Sequence, residues 1–459
     1  MKATGQHNRD ANNVRSGNAA RYSVLSPCDN VRRSCKQLMS DAPAIGTLDV
    51  EIVNRGPPSD MGTRSVGINS IKLHELACSI AESIIEGDDT GASSTASLPN
   101  NGLSLAGWAA DGWHYTGVGY QRAGTSALDI KIARMERIAL YVLTIDAINF
   151  CFWPCNPKQH SIGAEADILE YEHLATALRH VAETDDIVES AGGPSIQYED
   201  GVPVSVTVDE SYALSPSNLA ALTPTRLASL LEPHLGCPLP NLEERTRLLQ
   251  EVGCALLQLH GGSALGMITK ACQSTDALVG IIRNSFPGFG DSAVDPIHGR
   301  QVFFYKRAQI GVGDLWASLG NMCTTSVCDL ERCCQFKDVE RLTMFADYRV
   351  PQLLRDAGAL QYSSALASKI DQHVELMAGS MDELYIRAAT VVAVDQLVDL
   401  VKDELRSRQS ANHDATIQFD ELIQSVTAVM IDWYLWNDGE KRDREGTLKP
   451  HHRVRTIFY

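Results

Sequence analysis

The segment MERIALYVLTIDAINFCFW, residues 135–153, decides the fold class of this protein. Apolar residues face almost every side of the segment, and the main exceptions in its second half are Asp146 and Asn149. A helix that is apolar all round is buried inside a protein, so we predict a central buried helix. The two polar side chains then need partners. Being three residues apart, they either act together at a site or tie the helix to a neighbouring backbone.

Four further segments space their apolar residues three and four positions apart, as helices do. They are residues 71–85, 241–262, 264–284 and 302–319. Asn241 and Glu244 can form a cap at the start of the second segment. Gly311 and Gly313 lie inside the last one, where each glycine costs roughly 1 kcal/mol relative to alanine. We therefore expect close packing or a distorted helix around these two glycines.

Strand patterns are rare in this sequence. One alternation of apolar and polar residues, at 202–208, lies in a Gly-, Pro- and acid-rich stretch and indicates a hairpin. The predicted fold is therefore mainly α, a compact multi-helix domain with at most a small β-hairpin. Residues 1–63 lack apolar periodicity and are rich in Asn, Ser and Arg, so we predict a mostly disordered arm. Residues 64–459 are predicted to form one domain, with loop insertions near 86–102 and 185–216.

Charge and composition argue against several classes of protein. With 57 acidic and 40 basic residues the net charge is −17, which repels a long polyanion unless basic side chains gather on one face. A nucleic-acid polymer is therefore not an expected partner, whereas a single phosphate needs only a few well-placed donors. No run reaches the roughly 18 apolar residues of a membrane span, so we expect no membrane association.

The twelve cysteines predict reduced thiols in a cytoplasmic protein, since no secretory signal accompanies them. Basic residues outnumber acidic ones among the first 40, which is also compatible with mitochondrial targeting. Cys323, Cys328, Cys333 and Cys334 lack the CxxC spacing of a zinc site. We expect neither a metal nor a cofactor.

The segment LTMFADYRVPQ, residues 342–352, places a carboxylate at a helix boundary. Val350 precedes a proline and is disfavoured in the helical region, while Pro351 suits the first turn of a new helix. Asp347 thus falls at a break between two helices, on a rigid scaffold but not buried in helix packing. It either caps the new helix and pairs with Arg349, or it carries chemistry.

The ten residues TMFADYRVPQ resemble the signature of the queuosine 5′-phosphate N-glycosylase family, the queuosine salvage proteins. The resemblance covers the chain from about residue 64 to its end. Several separate motifs in the family's order are far more specific than one. The other motifs are residues 146–153, 242–245, 304–309, 431–436 and 451–459.

The resemblance implies a helical enzyme, distantly similar to helix-hairpin-helix DNA glycosylases, that cleaves queuosine 5′-monophosphate to queuine and ribose 5-phosphate. It implies that Asp347 is the nucleophile or stabilises an oxocarbenium ion, and that Phe345 lines the base. Asp432, with Trp433 beside it, is similar to the carboxylate that binds queuine. The family also has a ligand-contacting histidine that follows a tryptophan, and His114 is the candidate here.

These residue types suit the reaction. Breaking the bond between C1′ and nitrogen builds positive charge on the sugar, which an ionised carboxylate such as Asp347 stabilises. The leaving 7-deazaguanine has no N7 to protonate, so Asp432 is expected to accept hydrogen bonds from its N1 and amino groups. Alternatively, Asp432 accepts a purely structural hydrogen bond. Asn437 stands where the family tends to have an aspartate, which weakens one expected base contact because an amide carries no charge.

The 5′-phosphate requires cationic donors. Arg349 is preferred because it lies two residues from Asp347, and Lys306 and Arg307 are further candidates. Each of them is otherwise an ordinary ion-paired residue. Two other functions stay open: a non-catalytic protein that binds queuine or its nucleotide, and a glycosylase that flips a base out of a nucleic acid.

Overall fold

The computed structural model describes residues 26–41, 64–89, 108, 112–122, 125–153, 169–184, 186, 194–320, 322, 328–411 and 419–459. These residues form sixteen α-helices, which confirms the predicted mainly helical fold. The helices are α1 (Pro27–Asp41), α2 (Ser70–Asp89), α3 (Ala127–Ile148), α4 (Tyr171–Glu183), α5 (Pro216–Ala220), α6 (Pro224–Leu235), α7 (Leu242–Leu259), α8 (Ala264–Thr269), α9 (Thr275–Ser285), α10 (Lys306–Leu319), α11 (Asp329–Arg332), α12 (Arg349–Asp356), α13 (Ser364–Asp371), α14 (Met381–Ala411), α15 (Phe419–Ser425) and α16 (Ala428–Arg444).

The strands of the described residues are short and pair into three two-stranded antiparallel sheets. They are β1 (Val66–Ile68), β2 (Ser195–Glu199), β3 (Val202–Thr207), β4 (Ser292–Val294), β5 (Gln301–Phe303) and β6 (Leu360–Tyr362). The hairpin of β2 and β3 is the one that the sequence predicts. The pairs β4–β5 and β1–β6 go beyond the prediction, because three-residue strands are too short to show alternation.

Helix α3 is the predicted central buried helix. Every residue from Met135 to Ile148 is buried, and the helix packs against α4, α7, α8 and α10. The helix ends at Ile148 and does not continue to Trp153. The backbone carbonyl groups beyond its last turn accept hydrogen bonds from a side chain instead of from another helical turn. Arg245 of α7 donates to the carbonyl oxygen of Ile148 and, at 2.7 Å, to that of Phe150.

Two cations at the start of α10 bind the same end of α3. Arg307 donates to the carbonyl oxygens of Ala147 and Gly288, and Lys306 Nζ lies 3.4 Å from the carbonyl oxygen of Asn149. Positive side chains at a helix C-terminus also interact favourably with the helix dipole. The beginning of α10 is therefore fixed against the end of α3.

The two glycines of α10 allow the close packing that the sequence predicts. A Cβ atom at Gly311 would lie 3.3 Å from Asp146 Oδ2. A Cβ atom at Gly313 would lie 3.0 Å from the Phe345 ring and 3.4 Å from the Trp433 ring. Helix α10 consequently touches both α3 and the two aromatic residues predicted to contact the base.

The prediction of a disordered arm is wrong for residues 27–41, which form helix α1. Cys28 and Val31 of this helix are buried, and α1 packs against α9, α14 and β5. Its apolar residues do have helical spacing, but the Asn-, Ser- and Arg-rich sequence around them hides it. Residues 1–25 and 42–63 lie outside the described residues.

Helix α2 continues to Asp89, and the rest of the predicted insertion at 86–102 lies outside the described residues. The second predicted insertion contains the β2–β3 hairpin, while residues 187–193 are not described. A single domain over 64–459 and the likeness to helix-hairpin-helix glycosylases stay predictions. In the part of the chain that the structure describes, no helix combines the length and the apolar character needed to span a lipid bilayer.

Candidate active site

A cavity of about 120 Å³ opens between the end of α3, helix α10, the segment before α12 and helix α16. Its wall combines aromatic rings with three carboxylates, those of Asp314, Asp347 and Asp432. Lys306 is the only lysine or arginine among the described residues that line it. The cavity therefore carries an excess of acidic groups inside the protein.

Asp347 lies directly before α12 and caps it. Its Oδ1 accepts hydrogen bonds from the backbone N–H groups of Arg349 at 3.0 Å and Val350 at 3.4 Å. The helix therefore starts at Arg349 and includes Val350, contrary to the prediction that the following proline excludes this residue. Pro351 is tolerated because N–H groups in the first turn have no helical partner. These two donors hold the Asp347 carboxylate in a fixed position.

Asp432 lies on α16 and contacts the same segment. The residue is 3% exposed, and its Oδ1 accepts a hydrogen bond from the backbone N–H of Phe345 at 3.0 Å. Burial raises the pKa of Asp432 well above its ordinary value, and the charge of Asp347 raises it further. Burial also raises the pKa of Asp347, while Lys306 lowers it. The two carboxylates therefore influence each other and share Lys306 as a nearby positive charge.

Arg387 of α14 fixes the segment that precedes Asp347. Its Nε donates to the carbonyl oxygen of Ala346 at 2.9 Å, and its two terminal nitrogens donate to the carboxylate of Asp291 at 3.0 and 2.5 Å. Asp291 Oδ2 also accepts from the backbone N–H of Lys306 at 3.1 Å. One buried ion pair thus positions both the Asp347 segment and the start of α10.

Phe345 and Trp433 form an aromatic part of the cavity wall. Their ring centroids are 6.3 Å apart with an interplanar angle of 62°. Trp433 also stacks on Trp316, with centroids 6.3 Å apart and planes 7° apart. Asn437 lines the cavity as well, but it is an exposed residue. An exposed amide competes with water for its contacts, so any contact from Asn437 to a ligand is weak.

His114 is brought to the same cavity, where its ring stacks on Trp108 with centroids 4.2 Å apart. Its Nδ1 lies 3.4 Å from the hydroxyl oxygen of Tyr141. Burial lowers the pKa of His114 to about 3, so the ring is neutral at neutral pH. His114 can exchange hydrogen bonds with a ligand but does not supply a positive charge. Residues 109–111, which lie between Trp108 and His114 in the sequence, are outside the described residues.

The structure separates the three phosphate candidates. Lys306 lines the cavity. The prediction for Arg307 is wrong, because its guanidinium is buried and donates to backbone carbonyl groups at the end of α3. Arg349 does not pair with the Asp347 carboxylate; it forms ion pairs with Glu440 at 2.6 Å and Asp443 at 2.9 Å. Its charge is therefore already balanced by two acids.

A second cavity of about 310 Å³ adjoins the first and shares Phe152, Tyr171 and Tyr348 with its wall. Arg349 lines this second cavity, together with cationic side chains that include Lys449 and Arg453. The two cavities therefore differ in character. The first is acidic and aromatic, and the second combines three basic side chains with the acids Glu170, Glu440 and Asp443.

Asp314 is a cavity residue that the motifs do not single out. It lies two helical turns after Lys306 on α10, with Ile310 between them, and all three line the cavity. Burial raises the pKa of Asp314 to about 7, although Trp108 and Lys306 lower it. Spacings of four residues along one helix indicate a shared face, and this signal was present in the sequence.

Asp146 lies behind this wall and does not tie α3 to a neighbouring backbone. It is fully buried, and neither carboxylate oxygen has a hydrogen-bond partner among the described residues. Burial raises the pKa of Asp146 well above its ordinary value, and the charge of Asp314 raises it further. Asn149, its predicted companion, lines the cavity. The two acids Asp146 and Asp314 thus form a second interacting pair, next to Lys306.

Among the described residues, no group of three or more His, Cys, Asp and Glu side chains could hold a metal ion. Cys328, Cys333 and Cys334 are buried, and Cys323 lies outside the described residues. Burial is the main cause that raises the pKa of the Cys334 thiol well above its ordinary value. Such a thiol is a poor metal ligand, since metals bind the thiolate form.

The fold and the cavity together define a mainly helical protein with a cavity lined by acidic and aromatic side chains, of the kind that binds small molecules in other proteins. The sequence profile of the queuosine salvage proteins matches residues 129–199 and 204–459. The chain belongs to this family.

Curated relatives extend the match over most of the chain. A queuosine 5′-phosphate N-glycosylase/hydrolase of Dictyostelium discoideum is 32% identical over 352 residues, which cover 77% of this chain and 85% of the relative. One of Sphaerobacter thermophilus is 36% identical over 324 residues, covering 71% and 82%. One of Mus musculus is 28% identical over 333 residues, covering 70% and 81%.

Proposed function

We propose that this protein hydrolyses the N-glycosidic bond of queuosine 5′-monophosphate and releases queuine and ribose 5-phosphate, so that queuine is salvaged for tRNA modification. The observation that carries the proposal is the presence of Asp347 and Asp432 in one buried, aromatic cavity. The names of the curated relatives supply the substrate.

The reaction needs charge stabilisation at the sugar. The bond between C1′ and N9 breaks and leaves its electron pair on the base, so positive charge develops at C1′. Asp347, fixed by two backbone donors, stabilises this charge or forms a covalent intermediate that water then hydrolyses. The oxygen of water ends on C1′ as the new hydroxyl group, and one of its protons neutralises the released base. No cofactor enters this balance.

The test of the function is direct. Purified protein incubated with synthetic queuosine 5′-monophosphate should release queuine, which chromatography separates from the nucleotide. Tight binding of the nucleotide in calorimetry without release over hours would instead favour a non-catalytic binding protein. Tight binding of duplex nucleic acid in a gel shift at low salt would favour a polymer glycosylase, which the net charge of −17 opposes.

Asp432 is proposed to accept hydrogen bonds from N1 and the exocyclic amino group of the base. Asp432→Asn should lower kcat/KM roughly 5- to 150-fold, the range of one two-bond contact to a base edge. Steady-state assays should compare the normal substrate with an analogue that lacks the exocyclic amino group. Asp432→Asn should lower kcat/KM much less for the analogue than for the normal substrate, because even the wild-type protein cannot form the amino-group contact with the analogue.

The matched control for Asp432 is Asp438→Asn, which changes an aspartate on the same helix that lies 4.0 Å from Arg442. Asp438→Asn should leave kcat/KM for the normal substrate and for the analogue near the wild-type values. Equal losses for Asp432→Asn with both substrates would contradict the proposed contact and indicate a structural role.

Lys306 is proposed to face the 5′-phosphate, since it is the cation in the wall that carries Asp347. Lys306→Met should lower kcat/KM for the nucleotide roughly 10- to 100-fold more than for the nucleoside queuosine, because a charge-assisted hydrogen bond is lost. The measured quantity is the ratio of the two kcat/KM values. Lys449→Met is the matched control in the second cavity. A ratio that falls with Lys449→Met and not with Lys306→Met would place the phosphate in the second cavity.

A further inference from the structure

The proposed reaction leaves one part of the cavity wall unused. Asp314, Trp108 and the buried Asp146 take no part in stabilising C1′ or in binding the N1 edge of the base. Asp314 is only 5% exposed, yet it lines the cavity. Trp108 is 7% exposed and also lines the cavity, and its side chain lies beside Asp314, whose pKa it lowers.

The carboxylates of the site fall into two interacting pairs. Asp347 raises the pKa of Asp432, and Asp314 raises the pKa of Asp146. Lys306 lowers the pKa of all four. Arg307 also lowers the pKa of Asp146, whereas the cation that acts on Asp314 is the shared Lys306, so Asp314 has no counter-ion of its own among the described residues. A positively charged ligand group would supply one.

Queuine contains such a group. At C7 of its 7-deazaguanine ring it carries an aminomethyl arm that ends in a cyclopentenediol, and the secondary amine of this arm is protonated at neutral pH, as a lysine side chain is. In the ring, C7 lies on the side away from N1 and the exocyclic amino group. A base held by Asp432 therefore extends its charged arm away from Asp432.

We propose that Asp314 is the counter-ion of the ammonium group in the queuine arm, and that it determines specificity for a positively charged substituent at C7. This inference rests on the proposed function, since it assumes that a queuine nucleotide enters the cavity. Trp108 contributes the aromatic ring of its indole beside Asp314, which attracts a cation.

The ionisation of Asp314 fits this role. With a pKa of about 7, its carboxyl group is only partly ionised in the empty cavity at neutral pH, and an arriving cation favours the ionised form. The titratable groups around it are Asp146, Lys306, His114, Tyr141 and Tyr171. Of these, Lys306 is the only lysine or arginine; burial lowers its pKa, and the charges of Asp347 and Asp146 raise it. Binding of the cation should therefore weaken as the pH falls below about 7.

The test uses two nucleotides of the same size. Both are 7-deazaguanosine 5′-monophosphates: one carries an aminomethyl group at C7, which is charged, and the other a hydroxymethyl group, which is neutral. Wild-type protein should prefer the charged nucleotide about 10- to 100-fold in kcat/KM, the value of a charge-assisted contact in a buried site. Asp314→Asn should bring this ratio close to one, whatever the change in absolute rate. Asp403→Asn, an exposed aspartate of α14, is the control and should keep the wild-type ratio.

A binding measurement separates this inference from the proposed function. Calorimetry with the two free bases should show the same preference in wild-type protein and its loss in Asp314→Asn, even if no nucleotide is hydrolysed. If Asp314→Asn does not fold, the wild-type protein gives the same information. Its affinity for the charged base, relative to the neutral one, should fall as the pH is lowered from 8 to 5. A preference that Asp314→Asn retains, or one that does not depend on pH, would overturn the proposal.

Discussion

Asp347→Asn is expected to lower kcat for queuine release by roughly 10²- to 10³-fold, the loss typical of removing one preorganised group that stabilises transition-state charge. The amide has almost the same shape but no negative charge at C1′. The fold should be retained, because the amide oxygen can still accept from the N–H groups of Arg349 and Val350 that Asp347 Oδ1 now binds. KM should change little, since the positive charge is present only in the transition state.

Single-turnover assays measure this effect without interference from product release. Circular dichroism and thermal unfolding should show that the variant is folded, and Asp403→Asn serves again as the control. A variant that releases queuine within threefold of the wild-type rate would mean that another carboxylate lies under C1′. Asp432 would then be the first to examine, because it lines the same cavity.

Asp347 and Asp432 could be found in the sequence because each lies within a family motif. Asp314 lies in none of the motifs, because an aspartate inside an ordinary helix has no local signature. Only its spacing from Lys306 and Ile310 placed the three on one face. The sequence singled out Asp146 but not its position behind the cavity, which depends on the close approach of Gly311 to its carboxylate.

The sequence could not rank the three phosphate candidates for a different reason. Arg349 is two residues from Asp347 in the sequence, but its side chain turns to α16 and meets Glu440 and Asp443, 91 and 94 residues away. Arg307 follows Lys306 directly, yet it is used to bind carbonyl groups at the end of α3. Adjacent residues on a helix point about 100° apart, so sequence proximity does not predict a shared contact.

Three buried arginines near the cavity bind the protein backbone. Arg245, Arg307 and Arg387 all donate to backbone carbonyl groups around the cavity. Their charges therefore stabilise the shape of the site rather than bind ligand directly. This use of arginine explains why an acidic cavity, with a single lysine among the described residues of its wall, can form in a region that contains several basic residues.

Arg387→Met is expected to lower the free energy of unfolding by about 3 to 5 kcal/mol, the cost of leaving one member of a buried ion pair without its partner. Arg387 is 2% exposed, and its removal leaves the Asp291 carboxylate buried without a counter-ion. The variant also loses the hydrogen bond to the carbonyl oxygen of Ala346, next to Asp347. Activity should therefore fall even at temperatures at which the variant remains folded.

Urea unfolding followed by tryptophan fluorescence measures the loss, with Arg408→Met as the control. Arg408 forms ion pairs with Glu404 and Glu82 at the surface, so its replacement should cost no more than about 1 kcal/mol. The double variant Asp291→Asn with Arg387→Met should recover part of the lost stability, because the Asp291 charge is removed together with its partner and the amide can still accept from the N–H of Lys306. Recovery should be incomplete because Glu383, 3.8 Å from Arg387, still loses this partner. Activity should recover less than stability, because the contact to Ala346 is still missing. Full recovery of both would show that Arg387 acts only as a counter-ion and does not position the Asp347 segment.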